Sequence, residues 1–136
     1  MNPLLLPLLA MVGLTLLVLT RLYLMRLAEM KRSRIDPQQL AGSADKGLLK
    51  DTRASDNFSN LFEAPVLFYV LLLATIANGI DDPALLVLAW TFVALRAVHS
   101  AVQCTYNRVM HRFSAYALAT LVLFVYTGRL AWIAAG

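Results

Sequence analysis

Four apolar runs, each about twenty residues long, constrain this chain more than any other feature. They cover about residues 3–25, 58–77, 84–105 and 113–133. Because an α-helix rises 1.5 Å per residue, about twenty residues cross the ~30 Å hydrocarbon core of a bilayer. Spanning strands are half as long, and a lone spanning segment must satisfy its own backbone hydrogen bonds. The sequence therefore predicts an all-α integral membrane protein, built as a bundle of four transmembrane helices.

The composition excludes an ordinary soluble domain. Of the 136 residues, 60% are hydrophobic and 15% are charged, and the mean hydropathy is +0.66. This length suits one domain over residues 1–136, and a soluble domain of that size has too little interior to bury so much apolar surface. The single cysteine excludes an intramolecular disulfide. The composition therefore predicts the lipid bilayer as a partner.

The connections between the runs differ in charge, and this difference predicts the orientation. The first connection contains Arg26, Lys31, Arg32, Arg34, Lys46, Lys50 and Arg53, and the third contains Arg108 and Arg112. The second, NGIDDP at 78–83, has two aspartates and no basic residue, and it predicts a tight turn with Pro83 opening the next helix. By the positive-inside rule, loops one and three are cytoplasmic and both termini lie outside. We expect a multi-pass protein of a bacterial inner membrane, with basic residues facing lipid headgroups rather than nucleic acid.

Polar side chains within the third run predict an internal polar surface. Arg96, His99, Gln103 and Tyr106 are spaced at i, i+3, i+7 and i+10, which places them on one face of a helix. An unpaired arginine inside a span costs about 2.5–3.5 kcal/mol on insertion scales, so we expect Arg96 to face the bundle and to have a partner. His99 lacks neighbouring ligands at metal spacing, so no metal site is expected. Cys104 fits a small interhelical residue better than a nucleophile.

The second run begins with a matching polar face. Asp56, Asn60 and Glu63 are spaced at i, i+4 and i+7, with Arg53 and Asn57 flanking them. Because this run leaves the cytoplasm and the third run returns to it, we expect Glu63 to lie within ion-pair reach of Arg96, directly or through one intermediate group. Two roles remain open for Glu63 and Arg96: they pair with each other to join helices, or they contact a ligand. Pro65 predicts a bend or loosened hydrogen bonding just inside the span.

The connection between the third and fourth runs adds a polar and basic cluster. It consists of Tyr106, Asn107, Arg108, His111 and Arg112. Arginine donates paired hydrogen bonds to carboxylates, and asparagine pairs with amides, so the cluster suits an anionic, peptide-like ligand. The alternative is an ordinary basic flank that binds lipid headgroups.

Two stretches give the chain a family resemblance. RASDNFSNLFEAPVLFY (53–69) is similar to an Arg-Ala-x-x-Asn-x-x-Glu pattern followed by proline, and LRAVHSAVQCTYNRVMHR (95–112) contains a matching Arg-x-x-His. With four short spans and a long first loop, the whole chain resembles the MAPEG family. These are the membrane-associated proteins of eicosanoid and glutathione metabolism, and they include microsomal glutathione transferases.

The resemblance implies a homotrimer that binds glutathione between subunits near the cytoplasmic face. It also implies that an arginine stabilises the glutathione thiolate, with Arg112 as the first candidate and Arg108 as the second. The candidates for holding the tripeptide are Arg53, Asn57, Asn60, Glu63, Arg96, His99, Gln103 and Tyr106. The expected activity is a glutathione-dependent transferase or peroxidase whose lipophilic electrophile or peroxide reaches the site from lipid.

The sequence departs from the family pattern at two places. If Arg53 is taken as the arginine of the family pattern, Asn60 stands at the position of its glutamate. If Glu63 is taken as that glutamate, Asp56 stands at the position of the arginine. Gln103 stands where the prostaglandin-E synthase relatives have a tyrosine. These departures favour an alternative, a non-catalytic lipid- or partner-binding protein of the same fold, while the retained arginines favour the enzyme. A small transporter is a third possibility, weakened by the lack of paired discontinuous-helix signals.

Overall fold

The computed structural model describes residues 2–34 and 53–136, apart from the side chain of Ala54. In these ranges the chain forms helices and no strand: α1 (Leu5–Ser33), α2 (Arg53–Asn60), α3 (Ala64–Ala77), α4 (Pro83–Cys104) and α5 (Val109–Ala134). Four segments are long and apolar enough to cross a membrane, namely Leu5–Ser33, Ser55–Ala77, Pro83–Cys104 and Val109–Ala134. The predicted all-α bundle with four spans is confirmed. Lys46 and Lys50, which the orientation prediction used, lie outside the described residues.

The outward faces of the helices are apolar. Leu17, Phe124 and Trp132 expose 65%, 71% and 76% of their surface, and many other large apolar side chains do the same. A water-soluble monomer rarely exposes contiguous apolar area on this scale, whereas helices in a bilayer meet lipid tails there. The chain is therefore a multi-pass integral membrane protein.

Helix α4 lies at the centre of the bundle, in contact with α1, α2 and α5. Its inward face carries Ala89 and Phe92, both fully buried. Phe92 stacks on Phe68 of α3 with ring centroids 4.5 Å apart, which fixes the apolar half of the core. The same face continues towards the C-terminus of α4 as Arg96 and His99, both buried. The face of α4 that packs in the apolar core therefore also places the polar side chains of Arg96 and His99 inside the bundle.

The second span is interrupted near its N-terminal end. α2 ends at Asn60 and α3 begins at Ala64, so residues 61–63 leave the helical path. Pro65 lies in the first turn of α3, where its missing N–H removes no helical hydrogen bond. A bend or loosened hydrogen bonding was expected at Pro65; the helix is in fact interrupted just before it, at residues 61–63. The prediction that Asp56, Asn60 and Glu63 share one inward face is wrong, because Asp56 and Glu63 are exposed. The interruption separates Glu63 from the helix of Asn60, whereas Asp56 lies within α2, before the interruption, and is exposed there.

The turn between α3 and α4 has its own stabilising contacts. Gly79 has a φ of +64°, in the left-handed region that favours glycine. Asp82 caps α4 by accepting a 2.7 Å hydrogen bond from the backbone N–H of Ala84, and Pro83 opens that helix as predicted. Arg129 of α5 donates from Nε and Nη2 to Asp82 Oδ2, at 3.0 and 2.7 Å. This end of the bundle is therefore tied to α5 by a two-pronged ion pair.

The Asp82–Arg129 pair predicts a pH-dependent stability. Hydrogen bonds from the Arg129 guanidinium hold the pKa of Asp82 below its ordinary value of 3.8. A carboxylate with a depressed folded-state pKa stabilises the fold above its unfolded-state pKa of about 3.9, and this contribution is lost as the pH falls through the folded-state pKa. We expect Arg129→Gln to lower the unfolding temperature slightly at neutral pH, with the difference from wild type shrinking below about pH 4.

Thermal unfolding in detergent micelles, followed by circular dichroism across the acid range, measures this difference. Arg108→Gln is the control, because it removes an equal charge at the opposite end of the bundle. A difference between wild type and Arg129→Gln that stays constant from neutral to strongly acid pH would contradict the assignment.

Candidate functional site

Arg96 joins α4 to the interrupted span. Its side chain is 0% exposed, and its Nη2 donates a 2.8 Å hydrogen bond to the backbone oxygen of Asn60, the last residue of α2. The carbonyls at a helix C-terminus lack internal partners and carry partial negative charge, so a cation stabilises them. The guanidinium carbon also lies 5.8 Å from the ring centroid of Tyr116 in α5. Within the described residues, Arg96 Nε and Nη1 have no hydrogen-bond partner.

Arg96 and Glu63 do not form a direct ion pair, which was one of the two arrangements expected for them. In the part of the chain that the structure describes, no atoms of the two side chains lie within the 4.0 Å ion-pair distance. Glu63 is the N-terminal cap of α3, its side chain is exposed, and it attracts Arg96 only from a greater distance. Residues 61–63 separate Glu63 from α2, and the backbone oxygen of Asn60 is the hydrogen-bond partner of Arg96 instead.

Asn60, Gln103 and His99 connect three helices through hydrogen bonds. Asn60 Nδ2 donates to Gln103 Oε1 at 3.1 Å. The same oxygen lies 3.0 Å from His99 Nε2, and His99 Nδ1 lies 3.0 Å from the backbone oxygen of Arg112. This network links α2, α4 and the first turn of α5. Gln103 therefore bridges Asn60 of α2 and His99 of α4 through its side-chain amide.

The network has two proton arrangements. A backbone carbonyl only accepts, so His99 Nδ1 carries a hydrogen and donates to Arg112. With Gln103 Oε1 facing His99 Nε2, both ring nitrogens donate and the imidazole is a cation. With the amides of Gln103 and Asn60 reversed, the Gln103 amide nitrogen donates to a neutral ring and to the Asn60 oxygen. Each arrangement satisfies all three side chains at these contacts, and the two differ by one proton.

Asn57 is engaged inside the bundle. Its side chain is 0% exposed, its Nδ2 donates to Cys104 Sγ at 3.4 Å, and its Oδ1 accepts from Ser100 Oγ at 3.2 Å. These contacts join α2 to α4. Cys104 is buried between helices, as predicted. In the single chain, Asn57 is thus a structural residue beneath the candidate site.

Two arginines satisfy the C-terminal carbonyls of α4. Arg53 Nη1 donates to the Thr105 oxygen at 3.0 Å, and Arg21 Nη2 donates to the Cys104 oxygen at 2.6 Å. Because these carbonyls have no partner inside the helix, arginine donors stabilise the end of α4. Arg53, a candidate for holding glutathione, therefore contacts the protein backbone. Sequence reasoning missed Arg21 in this role, although an arginine at the edge of an apolar run was a signal.

Four of the predicted site residues line one pocket at the end of the bundle where α4 meets α5. They are Asn60, Glu63, His99 and Arg112, and Val109, Phe113 and Tyr116 complete the wall of this cavity of about 230 Å³. The Arg112 side chain is half-buried, and its Nη1 donates to Asn107 Oδ1 at 3.0 Å. Asn107 sits in the turn with a φ of +49°. Tyr116 was not among the predicted site residues, although its spacing of four residues from Arg112 indicated a shared face.

Tyr106 and Arg108 lie in the turn between α4 and α5, outside this pocket. α4 ends at Cys104, so the prediction that Tyr106 continues the face of Arg96 and His99 is wrong. The Tyr106 side chain is 59% exposed, and its hydroxyl lies 3.1 Å from His111 Nδ1. Arg108 is the exposed N-terminal cap of α5. In residues 2–34 and 53–136, no group of three or more metal-ligating side chains is formed.

The sequence matches the model of a known protein family. The model of the MAPEG family matches residues 4–132, nearly the whole chain. The chain belongs to the MAPEG family. No curated protein and no solved structure matches it significantly. Membership makes this MAPEG protein a membrane protein of the glutathione and eicosanoid metabolism type, and it confirms the resemblance drawn from residues 53–69 and 95–112.

The burial of Asn57 predicts a loss of stability on truncation. We expect Asn57→Ala to destabilise this MAPEG protein by about 1–3 kcal/mol, because the Ser100 hydroxyl and the Cys104 thiol lose their partner in a buried position. Denaturant unfolding in detergent measures the effect. Ser59→Ala is the control, since Ser59 is exposed and donates only to the Ser55 backbone. Equal stability of both variants and wild type would refute the structural role.

Proposed function

We propose that this MAPEG protein is a glutathione-dependent transferase or peroxidase that acts on lipophilic electrophiles or peroxides. Family membership supports a role linked to glutathione. The observation that carries the proposal is the position of Arg112, whose half-buried guanidinium lines the pocket with Asn60, Glu63 and His99. These side chains combine a cation, an amide and a carboxylate, which are the groups that recognise the carboxylates, amides and amine of a peptide.

Arg112 would activate the thiol by electrostatic stabilisation. A free thiol has a pKa of about 8.5, and a nearby fixed cation favours the thiolate, which is the nucleophile. One Arg112 nitrogen is engaged by Asn107, and this contact orients the guanidinium. The backbone oxygen of Arg112 lies 3.0 Å from His99 Nδ1, so a second contact also fixes the first turn of α5 beside the pocket. The remaining donors of Arg112 would face the glutathione sulfur.

The pocket is small for a tripeptide, and this supports a shared site in a homotrimer. Small-molecule sites are typically about 300–1,000 Å³, whereas this pocket has about 230 Å³. A second pocket of about 320 Å³ lies between α1 and α2, where Arg26 donates to Ser55 Oγ at 3.3 Å. A cyclic trimer joins two different faces of neighbouring subunits. Bringing these two pockets together would complete a glutathione site between subunits.

The membrane orientation belongs to the same proposal. The basic residues of the first and third connections support an orientation with the α4–α5 turn in the cytoplasm and both termini outside. The pocket would then take glutathione from the cytoplasm, while the second substrate would arrive from lipid.

Glutathione binding by the purified protein tests the proposal. We expect calorimetry to show binding to wild type, and ultraviolet difference spectra to show thiolate formation on binding. Removing a charge-assisted hydrogen bond costs about 1.5–3 kcal/mol, so Arg112→Ala should lower the affinity about tenfold to a hundredfold and abolish the thiolate signal.

Arg108→Ala is the matched control, because Arg108 is exposed outside the pocket. It should leave both signals unchanged. Loss of the thiolate signal in Arg108→Ala, with the signal retained in Arg112→Ala, would assign activation to Arg108. No binding by folded wild type would contradict the proposal and favour the alternative, a non-catalytic protein that binds a lipid or a partner.

A further inference from the structure

The His99 ring lies among charged side chains at the pocket. Arg96 precedes it by three residues on the same face of α4, and Arg112 lines the pocket from α5. The Tyr116 ring is 6.0 Å from the His99 ring, centroid to centroid. Glu63 is the one carboxylate among the described residues that line the pocket, and it is exposed. The two arginines therefore oppose a third positive charge on His99 while the pocket holds no anion.

His99 can gain a proton without any movement of the helices. The neutral and cationic arrangements of His99, Gln103 and Asn60 use the same contacts, and they differ by a half-turn of the two side-chain amides. Within residues 2–34 and 53–136, the Asn60 amide hydrogen-bonds only to Gln103, and the Gln103 amide only to Asn60 and His99. Since no other contact fixes the amides, the network can stabilise the ring in both protonation states.

A thiol that ionises in this pocket must give up a proton. Thiolate formation beside Arg112 leaves one proton per glutathione, which is either released to solvent or bound within the site. The thiolate also supplies the negative charge that the surroundings of His99 lack. Because a thiolate and an imidazolium attract each other, ionisation of the thiol favours protonation of the ring, and the two ionisations are coupled.

We propose that His99 binds the proton that glutathione loses in the pocket. This inference rests on the proposed thiolate chemistry. The S–H bond breaks and its electron pair stays on the sulfur beside Arg112, while a new N–H bond forms at His99 Nε2 and donates to Gln103 Oε1. Because Nε2 is already in contact with Gln103, water carries the proton between the sulfur and the ring. The net charge of the site does not change, since one thiolate and one imidazolium form together.

Calorimetry in two buffers counts the protons that accompany glutathione binding. Titrations of the purified protein at neutral pH in phosphate and in Tris differ in heat only if binding releases or takes up protons, because the ionisation enthalpies of these buffers differ. We expect the same heat in both buffers for wild type. His99→Asn keeps a donor for the Arg112 oxygen but has no ionisable ring, so it should release about one proton per bound thiolate. His111→Asn is the matched control and should behave as wild type, because His111 is exposed outside the pocket.

Gln103→Glu tests the same step without removing the histidine. A carboxylate only accepts, so it accepts from both Asn60 and His99 and holds the ring as a cation before glutathione binds. The ring then has no site left for the thiol proton, and this variant should also release about one proton per bound thiolate. Glutamine and glutamate have nearly the same shape, so Gln103→Glu decides the question if His99→Asn does not fold.

The pH dependence of the affinity is a second readout. Binding without a net exchange of protons has an affinity that does not change with pH, so wild type should bind glutathione equally between about pH 6 and about pH 8, below the thiol pKa of about 8.5. His99→Asn releases a proton on binding, so its affinity should rise about tenfold per pH unit over this range.

Nitrogen NMR of isotope-labelled histidines follows the ring itself, and the chain has only two histidines. The His99 signal, assigned by its loss in His99→Asn, should change from a neutral ring to an imidazolium when glutathione is added. The His111 signal should not change.

A wild-type protein that forms the thiolate but releases about one proton per glutathione, as His99→Asn does, would overturn the proton uptake and leave the proposed function standing. A His99 ring that stays neutral with glutathione, or that is already a cation without it, would also overturn the uptake alone. A folded wild type that binds no glutathione would contradict the proposed function, and the uptake with it.

Discussion

The hydrogen bond from buried Arg96 to the end of α2 is the contact on which the polar half of this bundle depends. An interrupted helix in a membrane leaves backbone carbonyls without partners, and a buried arginine needs acceptors. Their hydrogen bond gives the Asn60 oxygen a donor and gives Arg96 one acceptor. The interruption also frees Asn60 to reach Gln103, and through Gln103 the contact reaches His99 and the backbone of Arg112. The hydrogen bonds that reach Arg112, the candidate activating arginine, therefore depend on the end of α2 at Asn60.

The two ends of the bundle differ in the contacts that join their helices. Between α3 and α4, a glycine turn, a helix cap and the Asp82–Arg129 pair close the structure with every named group engaged. Around α2 and the α4–α5 turn, polar side chains bridge helices, and two buried donors of Arg96 have no hydrogen-bond partner within residues 2–34 and 53–136. Buried donors without a partner are rare in folded proteins, so Arg96 is a candidate for contact with a ligand. Tyr116, whose ring centroid lies 5.8 Å from the guanidinium carbon of Arg96, lines the polar pocket that contains Arg112.

Hydrophobic periodicity predicted the spans and the inward position of Arg96, His99 and Gln103, because an unbroken helix keeps its phase. It failed where the helix does not continue. Glu63 follows the interruption after α2, and Tyr106 follows the end of α4, so spacing placed both on the wrong face. Arg53 caps the end of α4, a contact between distant parts of the chain that spacing within one segment does not encode. Tyr116 was detectable from its spacing to Arg112, whereas its contact with Arg96 required the fold.

Hydrogen exchange of backbone amides, with and without saturating glutathione, tests most directly whether the polar network around Arg96 and Arg112 forms the ligand site. Binding there should slow exchange in α2 and in the α4–α5 turn at residues 105–108, because ligand contacts stabilise both segments against local opening. The α3–α4 turn at residues 78–82 should exchange at the same rate in both samples. Unchanged exchange in α2 and residues 105–108, or protection confined to residues 78–82, would contradict this location.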